Sequence, residues 1–347
     1  MLTDLQAQLR QAHAMSVPVR IVGAGSKQGW HAPQQGEALH VGSHAGIIDY
    51  APAERVISAR AGTRLAEIQA VLASQGQMLA AEPPDFGGHA TLGGALATGW
   101  SGPRRPWAGA MRDQLLGVEI LNGQGELLRF GGRVMKNVAG FDLARLMVGA
   151  NGTLGLITEA HLKVLPLPEV ETVRVFELPQ ADAIALANRL CAAPWPLSGA
   201  AWQGGLLRIR LSGNAAAVAT AQQQLGGEPD VERHWFARLQ AMQLDSFAPP
   251  SAEQGLWRLS LPQTCPPLLA DYPQLIDWAG GRRWLSAPLA AAQAISTSAR
   301  GAGGHALLQR SQAGWPTAPR NPTLLALEAR IRRALDPRQI LNRRQGD

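Results

Sequence analysis

The sequence predicts an α+β fold divided into two domains. Three observations carry that expectation. The chain has 347 residues, which is long for one hydrophobic core. Short β-branched runs alternate with stretches of helical spacing, and Asn122-Gly123 links two strand-like runs as a hairpin. After Glu169 tryptophan becomes common and Ala/Gln-rich helical stretches alternate with strands, the pattern of a smaller α+β unit.

Residues 4–15 read as an amphipathic helix, and 19–22 as a strand running into the glycine turn of VRIVGAGSK. Residues 55–60 form a strand. Residues 63–75 form a helix, with Leu65, Ile68, Val71 and Leu72 on one face and Gly76 as its stop. Residues 84–99, PDFGGHATLGGALATG, hold five glycines, with neither a helix-length apolar face nor strand alternation. Residues 115–121 and 126–130 make the hairpin, 139–148 a short helix, and the run from Gly152 to Pro168 a final strand pair or a bulged strand. In the second unit, 181–192, 214–225 and 288–300 are helical, 206–211 is a strand, and 244–256 is a polar loop with Pro249-Pro250. An amphipathic helix at 322–335 is followed by DPRQILN.

Composition excludes several function classes. No apolar run approaches the ~18 residues that span a bilayer. The N-terminal stretch is acidic at Asp4 and lacks a secretory apolar core, so a cytoplasmic location is expected. Cys191 and Cys265 form no CxxC pair, so an iron–sulfur cluster or zinc site held by this chain alone is not expected. The net charge of +6 comes mostly from arginine. It favours an anionic ligand or acidic partner over nucleic acid, for which basic-aromatic motifs are missing.

The glycines concentrate in three places. Gly23 and Gly25 follow a strand, but the third glycine of a dinucleotide fingerprint is displaced, because Gln28 stands where it belongs. The lysine-serine or lysine-threonine of a Walker loop is absent as well. A nest of backbone N–H groups suited to an anion remains, beside the alternative of an ordinary turn. Residues 84–99 and the run Gly149 to Gly155 add two more stretches of bare backbone, and Thr91 and Thr98 add hydroxyls. Three such segments within about 150 residues fit one extended ligand held by main chain, such as a dinucleotide.

The order VGAGSK, HATLGGALATGWSG, GAMRDQLLGVEILNGQGE and KNVAGFDLARLMVGANGTLGLITEAHLKVLPLP resembles the FAD-binding domain of the vanillyl-alcohol oxidase / p-cresol methylhydroxylase (PCMH) family. The resemblance covers roughly residues 5–170. Within the family, the KNVAGFDLARLMVGANGTLG wording and DPRQILN are similar to the FAD-binding subunits of glycolate oxidases. The resemblance implies a two-subdomain PCMH-type FAD domain over 1–170. A smaller ferredoxin-like α+β cap would follow over 171–315, and a helix and tail over 316–347 would return to the FAD domain. It implies FAD held non-covalently, since His89 stands where relatives carry Asn. Gly23, Ala24, Gly25, Ser26 and Lys27 would hold the pyrophosphate through their amides. Thr91, Leu92, Gly93, Gly94, Ala95, Thr98, Ser101 and Gly102 would line pyrophosphate and flavin. Arg112 and Asp113 would lie along the adenosine-to-flavin span, and Asn151, Gly152 and Ile157 would touch the cofactor from the last strand. Relatives carry Glu at the place of Asn151 and Tyr at the place of Phe141.

The same resemblance implies oxidation of glycolate, a small 2-hydroxy acid, to glyoxylate. The partners would be a second FAD-binding subunit and an iron–sulfur subunit, with possible inner-membrane attachment only through them. A carboxylate clamp of arginine is expected from Arg104 or Arg105. His305, in GAGGHALLQR, is the candidate base, without the second histidine of metal-dependent relatives, and no metal site is expected. The alternatives are a non-catalytic structural or electron-relay FAD subunit, and a stand-alone reductase of the same fold. The ten tryptophans look too dispersed for one platform, with Trp100 and Trp107 nearest the expected flavin site.

Overall fold

The structure is a computed structural model and describes residues 1–133, 142–316 and 322–343. An antiparallel five-stranded sheet organises the N-terminal part, in the order Ile47–Ala51, Val56–Arg60, Leu156–Lys163, Leu115–Leu121, Leu127–Gly131. Its core takes Leu65, Ile68 and Leu72 from the helix Leu65–Ala73, and Leu5 and Leu9 from the helix Leu2–Met15. Full burial of each such side chain contributes about 1.5–3 kcal/mol. The hairpin forms where expected, but its turn is longer than the dipeptide. Asn122 Oδ1 accepts the N–H groups of Gln124 and Glu126, and Gly125 takes the positive φ of 72°. Gly123 is small for another reason: a Cβ there would lie 2.3 Å from Asp336 Oδ1. Residues 134–141, including Phe141 and part of the expected 139–148 helix, lie outside the described residues.

The glycine-rich stretch departs from its expectation by containing a helix, Leu92–Thr98. Thr91 caps it by accepting the N–H of Gly94, Gly99 ends it at a φ of 65°, and Leu92, Ala95 and Leu96 are buried. Ahead of it, the strand Val19–Val22 pairs in parallel with Glu37–His40, and the glycine turn leaves from the end of this ribbon.

The strand Val170–Glu177 opens a second, eight-stranded antiparallel sheet. Its order is Glu228–Pro229, Val170–Glu177, Leu206–Gly213, Leu197–Gln203, Gln274–Asp277, Arg282–Pro288, Gln254–Ser260, His305–Ser311. Counted within each group of four, this is the ferredoxin-like order 4-1-3-2 followed by its mirror 2-3-1-4. The halves join where Trp202 and Gln203 pair with Ile276 and Leu275. The helices Gln180–Cys191, Ala215–Leu225 and Ala292–Gly301 cover one face. The other face, carrying Ala201, Leu256 and Trp284, turns toward the first sheet's glycine segments. The expected polar loop at 244–256 instead buries Leu244 and Phe247 under this face and ends in the strand Gln254–Ser260. After the helix Pro322–Leu335 the chain re-enters the first core through Ile340 and Leu341, and Val19 N–H donates to the Ile340 carbonyl at 2.8 Å.

Candidate functional site: a glycine-cradled cleft

A cleft of about 520 Å³ opens between the glycine turn, the helix Leu92–Thr98 and the C-terminal residues. Gly23, Ala24, Gly25, Ser26 and Lys27 form its floor, and Thr91, Gly94, Thr98 and Asn151 face it. Among the described residues no acceptor takes the backbone N–H of residues 24, 25, 26 or 27. Four successive free amides form a nest with partial positive charge. Lys27 adds a full charge. Its side chain is 7% exposed, forms no ion pair among the described residues, and stands 5.2 Å over the Phe86 ring. Burial lowers its pKa to about 8. An unpaired buried ammonium is costly until an anion arrives.

The glycines of the cleft exclude side chains that would fill it. A Cβ on Gly23 would sit 2.5 Å from Thr91 Oγ1, and Gly25 has a φ of 72°. On Gly94 a Cβ would lie 3.2 Å from Thr91 Oγ1 and 3.5 Å from Lys27 Nζ. Free amides, a buried cation, bare backbone and this volume together fit a dinucleotide diphosphate.

The structure redistributes the other expected residues. Leu92 and Ala95 are core, and the N–H groups of Leu92 and Gly93 are already given to the carbonyls of Thr63 and Ala61. Gly93 is glycine because a Cβ would lie 2.7 Å from the Ala61 methyl. Thr98 donates its hydroxyl to the Gly94 carbonyl at 2.9 Å, whereas Thr91 Oγ1 accepts the Gly94 N–H as the helix cap and keeps its own O–H as a donor. Ser101 is buried and accepts from Met111 N–H, while Gly102 passes against Glu82. Asp113 accepts from Ala110 N–H, and the exposed Arg112 lies beside it, so neither lines the cleft. Ile157 is core, and Gly152 is bare because Asn342 packs against it, with Nδ2 2.4 Å from a would-be Cβ. His89 is exposed and pairs with Arg64 outside the cleft.

Sequence reasoning missed Arg20, His31, Ser311, Trp315 and Asn342, which also line the cleft. The one available signal was DPRQILN, whose final residue is Asn342. It also missed an aromatic cluster. Trp30 lies edge-on to Trp100 at 5.4 Å and to Phe86 at 5.7 Å, and Trp284 joins them through Trp100 and Phe247. Five rings scattered over 254 positions of sequence thus meet between the two sheets, against the expected dispersal. Trp107 packs elsewhere, against the second sheet's helices.

Of the three expected catalytic residues, Arg104 is engaged in buried ion pairs. It is 8% exposed, its backbone N–H and Nε donate to Glu82, and its Nη2 donates to Glu171. Arg105 and His305 do come together, lining a second cleft of about 490 Å³ with Trp278. Arg105 lies 4.2 Å over the Trp278 ring. His305 has its pKa lowered, first by burial and then by Arg258.

Fold and cleft define a flavoprotein of the PCMH type. Residues 2–131 match the FAD binding domain family, so the chain is an FAD-binding protein. The whole chain also follows the architecture of an alkyldihydroxyacetonephosphate synthase, with a TM-score of 0.69 at 16% identity over 99% of this chain and 74% of that one. It is 43% identical over 339 residues to the glycolate oxidase subunit GlcE of Escherichia coli (strain K12), covering 97% of this chain and 95% of the relative. The chain belongs to the GlcE family of glycolate oxidase subunits. A shorter match, 30% identical over 52% of this chain and 39% of the relative, is to a D-2-hydroxyglutarate dehydrogenase of Xanthomonas citri pv. viticola. The glycolate oxidase subunit GlcD of Bacillus subtilis (strain 168) matches at 40% over 27% of this chain and 20% of its own length.

Proposed function

We propose that this chain is the FAD-binding subunit of a complex that oxidises glycolate to glyoxylate. The observation that carries the reading is the row of free amides beside Lys27, in a chain alike over nearly its full length to a glycolate oxidase subunit. Residues 24–27 hold the cofactor's diphosphate by their N–H groups, Lys27 neutralises it, and Asn151 and Asn342 wall its far side. FAD is held non-covalently, since the exposed His89 turns to Arg64 rather than to the cleft. Oxidation of a 2-hydroxy acid removes two electrons and two protons, and bound FAD accepts the electron pair. His305, kept neutral near pH 7 by its lowered pKa, is the group suited to take the hydroxyl proton. Arg105 faces the same cleft as a cation for the acid.

Electrons leave through partner subunits, a second FAD-binding chain and an iron–sulfur protein. No described helix is long and apolar enough to cross a membrane; in this reading the chain works in the cytoplasm, with any membrane attachment made by those partners. The capture of Arg104 by carboxylates favours one other reading, a relay subunit that binds FAD without touching substrate. Anaerobic glycolate added to the purified chain separates the two. Bleaching of the flavin band in the isolated chain supports oxidation here. Bleaching only in the assembled complex supports the relay, and a chain that takes up no FAD overturns both.

A further inference from the structure

The helix Pro322–Leu335 is anchored to the body through its last turn. Leu335 packs against the first core, Gly123 N–H donates to its carbonyl at 2.9 Å, and Arg332 Nη2 donates to the Leu341 carbonyl at 3.1 Å. From Pro322 to Arg330 every residue is exposed. The other described helices of ten or more residues each bury at least two side chains; this one, with 14 residues, buries none. A helix of that length without tertiary packing is marginal in water.

Its apolar residues follow a pattern. Leu324, Leu327, Ile331 and Leu335 recur at spacings of three and four, which makes one helical stripe. The Ile331 and Leu335 end of the stripe is half-buried, with Leu335 against the first core. The same stripe then runs on into solvent, where Leu324 is 56% and Leu327 49% exposed. Leu325, 40% exposed, stands about 100° round from Leu324. The three leucines thus spread over about 160° of the circumference, and Glu328 lies inside that arc one turn along. The opposite side carries Arg330 and Arg333, both exposed and in no ion pair among the described residues.

We infer that the free half of this helix docks into an apolar groove of a partner subunit, with carboxylates on the groove's rim to meet Arg330 and Arg333. This rests on the reading of the chain as one member of a complex. Area argues against a second copy of this chain. The helix's 14 residues span only about 21 Å, and two such helices side by side bury well under the roughly 1,200 Å² of a stable interface. Leucines spread round the helix need walls on more than one side, which a groove supplies and a flat surface does not. A lipid surface fits less well for a second reason: Glu328 within the apolar arc is repelled by anionic headgroups.

The test uses the full chain, co-produced with a tagged second FAD-binding subunit and the iron–sulfur subunit. Leu324→Glu combined with Leu327→Glu is expected to cut the chain recovered with the tagged partner at least tenfold. Arg330→Glu combined with Arg333→Glu should cut it severalfold. Both variants, isolated, should keep the wild-type melting temperature and flavin content, since the substituted residues are exposed. In the wild type, backbone amides of residues 324–330 should exchange with solvent deuterium at least tenfold more slowly in the complex than in the isolated chain. That readout decides the matter if a variant fails to fold. Recovery that both variants leave at the wild-type level, or exchange that assembly leaves unchanged, would overturn the docking site. So would an isolated wild-type dimer that the leucine variant disperses, or binding of the isolated chain to phosphatidylglycerol vesicles that the same variant abolishes. A complex that assembles through the helix yet oxidises no glycolate sinks the proposed function and leaves the docking site standing.

Discussion

Asn342 accepts the backbone N–H of Ile21 at 2.7 Å, across 321 residues of sequence. Its amide nitrogen also donates to the Asn151 carbonyl at 2.6 Å. One buried side chain thus ties the strand before the glycine turn to the turn after the helix Leu143–Met147, and both carry cleft residues. Asn342→Ala leaves a donor and an acceptor unmet, at about 1–3 kcal/mol each. We expect lower thermal stability and at least tenfold faster FAD release, read from the rise in flavin fluorescence on dilution. Unchanged release would show that the tie does not hold the cleft in shape.

Gly23→Ala places a methyl against Thr91 Oγ1. Thr91 must then rotate and give up the cap of the helix Leu92–Thr98, worth about 1 kcal/mol. Flavin content after purification should fall steeply. Gly301→Ala is the control. It is helical, has open space at its Cβ, and should stabilise by about 1 kcal/mol with full flavin content.

Lys27 makes cofactor uptake pH-dependent. Its folded pKa of about 8 lies below the ordinary 10.5, so between these values the unfolded chain binds more protons. Stability of the FAD-free protein should therefore rise as pH increases through about 8 to 10.5, and the cost of the buried charge is fully present below 8. A diphosphate beside Lys27 favours the charged form. FAD binding above pH 8 should take up a proton, measured as a dependence of binding heat on buffer ionisation enthalpy. Lys27→Met should bind FAD more weakly and abolish that dependence.

Arg104 separates stability from cofactor binding. Arg104→Met strips a buried partner from Glu82 and a half-exposed one from Glu171, although Arg210 still faces both. The loss should be about 3 kcal/mol in chemical unfolding, with FAD affinity nearly unchanged. Burial by itself would raise the Glu171 pKa, but Arg210, Ser212 and Arg104 outweigh it and hold it low. That contribution is present above the ordinary carboxylate pKa and is lost as pH falls through the depressed one. Wild type should thus lose stability on acidification more steeply than the variant.

The sequence by itself determined many of the local elements and, through its family resemblance, the cofactor. Leu65, Ile68 and Leu72 mark a helix face because burial follows a 3.6-residue period, and the helix at 322–335 is legible for a related reason. The clustered glycines announced a backbone-lined site because glycine permits the close approach at Gly23 and the positive φ at Gly25 that turn the neighbouring amides toward a ligand. The strands Gln274–Asp277 and Arg282–Pro288 were invisible: the first is only four residues long, and on the second the alternating positions are Arg282 and Trp284, whose burial depends on partners from elsewhere. Sequence spacing likewise could not rank Arg104, Arg105 and Arg258. Whether a guanidinium is spent on a carboxylate or left open is settled by which chain segment crosses it. Glu82 reaches Arg104 through a contact 22 residues long, and among the described residues no acceptor reaches the buried Nε of Arg258. Tertiary structure alone decided which charges remain available, because charge pairing acts through space and leaves no period in the sequence.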